Sequence, residues 1–223
     1  MPHEPLALIR RLYDAWNAGD VATAAQIVAP DVRWDTFGAA EGPSAMQATL
    51  AGGSGGTWQR TAVALDLLVG VGDHVLAFNR RSGAAPERIE IWTLHDGKAV
   101  HYRGYPLDEG LAVLSVTTRS RKLEIVCRAL VAFNRGDRAG WVCHFDGEAR
   151  AFAEQLGGRR LDDARVLGET FEALVISALH DRDEAAGEQV NLVLTYSGER
   201  VRRVVAHATP DAALAAAARW TPV

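Results

Sequence analysis

Residues 87–106 read ERIEIWTLHDGKAVHYRGYP. Asp96-Gly97 is a dipeptide that favours a tight two-residue turn. It stands between two β-branched and aromatic runs, Ile89, Ile91, Trp92 and Leu94 before it and Ala99, Val100, Tyr102 and Tyr105 after it. The stretch predicts a β-hairpin. Side chains alternate along a strand, so Glu90, Trp92 and Leu94 share one face of the first strand, and Tyr102, Gly104 and Pro106 share one face of the second. That face sets a carboxylate among rings, away from water, which makes Glu90 a candidate for proton transfer. The competing reading puts Ile89 and Ile91 in the core and leaves Glu90 solvated.

Upstream of the hairpin, Leu6, Ile9, Tyr13 and Trp16 recur at three- and four-residue intervals and predict a helix from Pro5 to Ala18, ended by Gly19. Asp20 can cap a second short helix through Val28. Pro30-Asp31 closes it before a strand over Val32-Arg33-Trp34-Asp35-Thr36-Phe37. A third short helix is predicted over Pro43 to Leu50, then a glycine loop, Gly52-Gly53-Ser54-Gly55-Gly56, then strands over Gln59 to Val69 and His74 to Arg80. Helices followed by consecutive antiparallel strands make an α+β pattern, unlike the alternation of a parallel sheet. The glycine loop formally satisfies G-x-S-x-G, but a nucleophile elbow needs a strand before it and a helix after it, and the order here is reversed.

The chain has 223 residues, 48% of them hydrophobic and 23% charged, which suits one large domain or two small ones. Its formal net charge of −4 rests on the first 118 residues, since the remainder sums to zero, and neither part is basic enough for a nucleic-acid footprint. The 2 cysteines, Cys127 and Cys143, imply no disulfide framework. No apolar run approaches the roughly 20 residues of a membrane span, and the N-terminus carries no secretory pattern. The expected location is cytoplasmic and the expected membrane involvement none. Basic charge is almost all arginine, as in GC-rich bacterial genomes. The histidines lack ligand spacing, so no metal is expected.

The opening motif returns. Lys122 to Asp137 matches Pro5 to Asp20 without a gap, with Leu6, Ile9, Tyr13 and Trp16 recurring as Leu123, Val126, Leu130 and Phe133. Leu111 to Arg121 reads as a connector, and Glu188 to Leu214 echoes Glu87 to Leu114 through a strand, Ser197-Gly198, a second strand and an apolar helix. Two domains are expected, residues 1–116 and 117–223. Aligned on the glycines of the two turns, Glu90 and Trp92 correspond to Asn191 and Val193, and Tyr102 to Arg203. Trp34, Asp35 and Thr36 correspond to Ala151, Phe152 and Ala153. The second copy has thus lost the acid and the indoles. It is expected to act as a built-in partner, giving a monomer with an intramolecular pseudo-dimer.

Three motifs in this order, Tyr13 to Asp20, Pro30 to Trp34 and Trp92 to Tyr105, resemble the SnoaL-like branch of the NTF2-like superfamily. The resemblance covers most of residues 5–114 and, more faintly, 122–217. It implies two tandem cone-shaped NTF2-like (cystatin-like) domains, each a curved antiparallel sheet wrapped around helices. Family members include ketosteroid isomerases, polyketide cyclases, epoxide hydrolases and proteins that only bind, so fold does not settle function. Carried over residue by residue, the isomerase's general-base aspartate falls on Thr36. Its helix tyrosine falls on Leu12, one residue from Tyr13, and its second pocket acid falls on Glu90. Asp35 adjoins Thr36, and a one-residue bulge would bring it inward.

The resulting expectation is acid–base chemistry without cofactor or metal on an apolar, oxygen-bearing small molecule. Glu90 is the proton carrier and Asp35 its possible partner. Tyr13 and Thr36 donate hydrogen bonds, and Trp34, Trp92 and Tyr102 form the walls. Isomerisation, cyclisation and epoxide opening stay open, as does a non-catalytic binding or scaffold protein with a vestigial pocket.

Overall fold

The computed structural model describes residues 4–36, 62–81, 87–117, 120–155, 161–170, 172–180 and 189–219. The helix expected over 43–50 and the glycine loop at 52–56 lie outside them. The chain divides into two compact units, Met1–Gly110 and Leu111–Val223.

In the first unit α1 (Glu4–Ala18) and α2 (Val21–Ile27) lead into β1 (Val28–Thr36), followed by β2 (Val63–Val71), β3 (His74–Arg81), β4 (Arg88–His95) and β5 (Lys98–Pro106). The strands lie in the order β1-β5-β4-β3-β2. The neighbours from β2 to β5 are antiparallel, and β1 joins the end of the row parallel to β5. Leu6, Ile9, Leu12 and Tyr13 form the buried stripe of α1, spaced to fall on one side of the helix, and they pack with Val75, Ala77, Trp92, Leu94 and Tyr102 from one sheet face. Each such side chain contributes on the order of 1.5–3 kcal/mol when withdrawn from water. Asp20 caps α2, accepting a hydrogen bond from Thr23 N at 3.0 Å.

The opposite face of the central strand is covered too. Helix α3 (Leu107–Thr117), which continues across the division between the units, brings Gly110 so close to Ile89 that a Cβ there would collide. Ile89 and Ile91 are therefore as buried as Glu90 and Trp92. Neither face of β4 is solvated, so the choice posed by its alternation is settled by a helix on each side. The stretch read as a connector is itself helical through Thr117.

The second unit runs α4 (Arg121–Asn134), α5 (Arg138–Val142), α6 (Gly147–Gln155), β6 (Leu161–Glu169), β7 (Ala173–His180), β8 (Gln189–Ser197), β9 (Arg200–His207) and α7 (Pro210–Ala218). Its strands form the antiparallel row β6-β7-β8-β9. The two units share a tie at the end of their first helix. Asn17 holds both backbone groups of Val63 at 2.9 Å. Asn134 holds those of Leu161 in the same way, at 2.6 and 2.9 Å. Both units are thus α+β, a helix packed on an antiparallel-rich sheet. Among the described residues no helix is long and apolar enough to cross a membrane.

The cysteines sit in contrasting places. Cys127 is buried in α4, where burial first and the Glu124 carboxylate second push its thiol far above the ordinary range, while Cys143 is exposed. Native protein treated with iodoacetamide is expected to gain one label per chain and urea-unfolded protein two, read by mass spectrometry. Two labels in the native state would contradict this burial.

Candidate functional site

Strand β4 presents Arg88, Glu90, Trp92 and Leu94 on the face that meets α1, because alternate residues point the same way. Tyr13, one helical turn beyond Ile9, comes down on that row. Its hydroxyl donates to Glu90 Oε2 and accepts from Trp92 Nε1 at 3.0 Å. The direction of this relay is dictated by chemistry. An indole N–H can only donate, so the tyrosine oxygen must accept there, and its own proton is left to point at the carboxylate. All three groups are buried, with exposures of 1% for Tyr13, 3% for Glu90 and 0% for Trp92. Aligned by family pattern the helix tyrosine falls on Leu12; in the structure Leu12 is core and Tyr13 reaches the acid.

The rings close around this relay. Trp92 meets Tyr102 at 4.7 Å, Trp34 at 5.8 Å and Tyr13 at 6.4 Å between centroids, all edge-on, and Trp34 meets Tyr102 at 5.2 Å. Gly104 makes the Tyr102 position possible. It pairs across the strands with Glu90, and a Cβ on it would stand 2.5 Å from Tyr102 Oη, so the ring lies along its own strand toward the acid. Glu90, Tyr13, Trp34, Trp92 and Tyr102 are thereby brought together.

Burial, followed by the charge of Glu90 and by Tyr102, holds the Tyr13 hydroxyl well above the ordinary tyrosine range. Tyr196 in the second unit is raised as well, chiefly by burial. A raised folded value means stability that is intact below the unfolded tyrosine value of about 10 and is lost as pH climbs past it. In an alkaline titration these two tyrosinates are therefore expected to appear together with loss of far-UV circular dichroism. Four tyrosinates formed before any unfolding would refute the burial.

Asp35 is not part of this group. The irregularity in β1 lies between Val28 and Arg33, so from Arg33 to Thr36 the strand runs in regular register with β5 and Asp35 takes the side away from Trp34. It meets His101 Nε2 at 2.8 Å and Arg33 Nε at 2.9 Å. The His101 hydrogen bond, more than Arg33, lowers its carboxyl below the ordinary range. The bulge that would have brought it inward falls too early in the strand. Thr36 pairs through its backbone with Gly104, and its side chain lies outside the described residues.

Two neighbours of Glu90 escaped the sequence reading. Asn79 pairs directly with Arg88 across β3 and β4, on the same face as Glu90. Both are buried, at 0% and 2% exposure. Among the described residues, neither end of the Asn79 amide, nor Arg88 Nε and Nη2, has a hydrogen-bond partner. The signal was present, since Arg88 precedes Glu90 by the same two-residue step that links Glu90 to Trp92. Among the described residues no group of three or more His, Cys, Asp or Glu could hold a metal ion.

The second unit repeats the architecture and replaces the chemistry, in a register one residue from the expected one. The first turn is Asp96-Gly97, with φ of 47° and 70°; the second is Gly198-Glu199, with positive φ at Gly198 alone. Glycine stands second in one turn and first in the other, as the two mirror-image turn types require. Matching glycine to glycine therefore slips the strands by one, and a one-residue slip exchanges their faces. Turn matched to turn, Glu90, Trp92 and Tyr102 correspond to Leu192, Leu194 and Val204, in place of Asn191, Val193 and Arg203. The irregular pairing at Thr93/Leu94 and at Thr195/Tyr196 follows the same shift. Leu192, Leu194 and Val204 line an apolar cavity of about 30 Å³, together with Leu130, which stands where Tyr13 does. The correspondence of Ala151, Phe152 and Ala153 to strand residues also fails, because they lie in helix α6. Of the β1 pairing the described residues keep a single parallel bridge, Phe145 to Val201, matching Val28 with Ala99.

Residues 9–105 match the family model of the SnoaL-like domain. No curated protein matches the chain. Among solved structures, it is similar to Bal32a from a soil-derived mobile gene cassette, at 21% identity over 46% of this chain and 88% of that one, with a TM-score of 0.38. It is also similar to an NTF2-like protein from Burkholderia thailandensis, at 21% identity over 45% and 88%, TM-score 0.36. A third is TerC co-crystallised with polyporic acid, at 21% identity over 50% and 97%, TM-score 0.36.

Proposed function

We propose that the first unit, whose residues 9–105 match the SnoaL-like domain model, takes up an apolar, oxygen-bearing small molecule and that Glu90 moves a proton to or from it. In this reading Tyr13 orients and stabilises the Glu90 carboxylate through its hydrogen bond, and Trp34, Trp92 and Tyr102 supply flat apolar walls. Isomerisation, cyclisation and epoxide opening are the reactions that such a proton transfer serves.

One observation supports this above others. The second unit forms the same layer from Leu130, Leu192, Leu194 and Val204, so the fold itself has no need of a buried acid, phenol and indole there. Withdrawing a carboxylate from water costs several kcal/mol even after relaxation, and a fold that can do without it retains it for use. A ligand carrier is the second reading. It is favoured by the turning of Asp35 toward His101, which leaves Glu90 without that second acid.

The two separate on a panel of conjugated enones and aryl epoxides. Binding is read through quenching of tryptophan fluorescence, and conversion by mass spectrometry and absorbance. The enzyme reading expects both for at least one class. Binding of several members with no conversion supports the carrier, and no binding at all refutes both.

A further inference from the structure

We infer that Arg88 and Asn79 form an oxyanion anchor in the first unit, so that the ligand of the Glu90 site is a flat apolar molecule ending in a carboxylate. This rests on the reading of Glu90 as the centre of a ligand site. Three facts about the pair carry the inference. Arg88 and Asn79 are direct cross-strand partners, they are buried to within 2% of full exclusion, and Arg88 Nε and Nη2 and both atoms of the Asn79 amide have no hydrogen-bond partner among the described residues. Native interiors seldom leave buried polar groups unpaired. For a charged group such as a guanidinium the cost of an unmade bond is larger than for a neutral one.

The chemistry of the missing partner follows from the donors. A guanidinium offers N–H groups in a planar fork and accepts nothing, so its complement is an acceptor with two oxygens in a plane, which a carboxylate supplies in bidentate form. Asn79, about 5 Å away at Cβ, can add one donor to the same anion or accept from a hydroxyl beside it. Arg88 and Glu90 lie two residues apart on one strand face, about 7 Å along the strand. A carboxylate held by Arg88 at about 2.8 Å therefore leaves the next carbons of the ligand beside Glu90 and its rings. The anchor fixes one end of the molecule and presents its apolar body to the proton carrier.

The test compares an acid with its neutral ester, 2-naphthoic acid and methyl 2-naphthoate, binding at neutral pH to the full chain by calorimetry and tryptophan quenching. A charge-assisted pair predicts that the wild type prefers the acid by about 10- to 100-fold. In Arg88→Met the preference is expected to fall to about 1, with ester affinity kept within roughly twofold. Arg88→Lys, which keeps the charge and loses the fork, is expected to keep part of it and serves if the methionine variant does not fold. Equal affinity for acid and ester in the wild type, or a preference that survives Arg88→Met, would overturn the anchor and leave the Glu90 site standing. Failure of both probes to bind the wild type would overturn the site and the anchor together.

Discussion

With Glu90 as the proposed proton carrier, Glu90→Gln is expected to bind a converted panel member and to turn it over about 10²- to 10⁴-fold more slowly, the range that a positioned general acid or base contributes. The amide is nearly the same size, and its oxygen can still accept from Tyr13, so the relay from Trp92 through Tyr13 stays closed. What it loses is the capacity to take up a proton. The measurement is kcat on a converted panel member, with affinity followed separately by tryptophan quenching. Unchanged kcat would remove Glu90 from the chemistry, while loss of affinity with kcat retained would make it a binding group only. Tyr13→Phe complements this variant. It strips the carboxylate of a donor and the indole of an acceptor at once, and leaving such groups unpaired costs about 1–3 kcal/mol each. A fall in stability alongside a fall in rate is therefore expected.

The second large effect is the converse experiment, carried out in the copy that lacks the acid. Leu192→Glu places a carboxyl where Glu90 stands in the first unit, but among Leu130, Leu194 and Val204, with no tyrosine to meet it. The variant is expected to lose about 3–5 kcal/mol at neutral pH, as buried charges without partners do. Burial raises the folded value of the introduced carboxyl above its unfolded value of about 4.3. Its protonated form is the tolerated one, so stability is greatest in acid and falls as pH rises through the folded value. Urea midpoints at two pH values measure this. Adding Leu130→Tyr is expected to restore about 1–3 kcal/mol by rebuilding the Tyr13 contact, a coupling that a double-mutant cycle isolates. If Asn191 occupied the inward position instead, Leu192→Glu would be mild and its pH dependence flat.

What could be read from the chain and what could not divides along the range of the interaction. The stripe of α1, the cap at Asp20, the hairpin around Asp96-Gly97 and the return of Pro5 to Asp20 as Lys122 to Asp137 are local patterns, and each stands where periodicity placed it. The face of Glu90 was local as well. Whether that face was wet or dry was not, because it depends on α1 arriving from 77 residues away in sequence, the separation of Tyr13 and Glu90. Asp35 went astray over the location of one irregularity in β1, which no residue in the strand announces. The second hairpin went astray over which turn position its glycine fills, a difference of φ at one residue that exchanges Asn191 for Leu192 on the inner face. Arg88 was missed because the row was started at Glu90, and Asn79 because its partner is fixed only once the β3–β4 register is known.

The paired asparagine ties have a practical meaning for anyone wishing to redesign this scaffold. Asn17 reaches over 46 positions to Val63, and Asn134 over 27 to Leu161, yet each fastens the same backbone groups. By polymer statistics the longer span adds only about 0.5 kcal/mol of closure entropy. A latch so indifferent to length leaves the part of the intervening stretch beyond α2 and β1, which carry core residues and Trp34, open to exchange. Segments of different length could be spliced between helix and sheet, and new specificities selected there, while the frame that carries them is left alone.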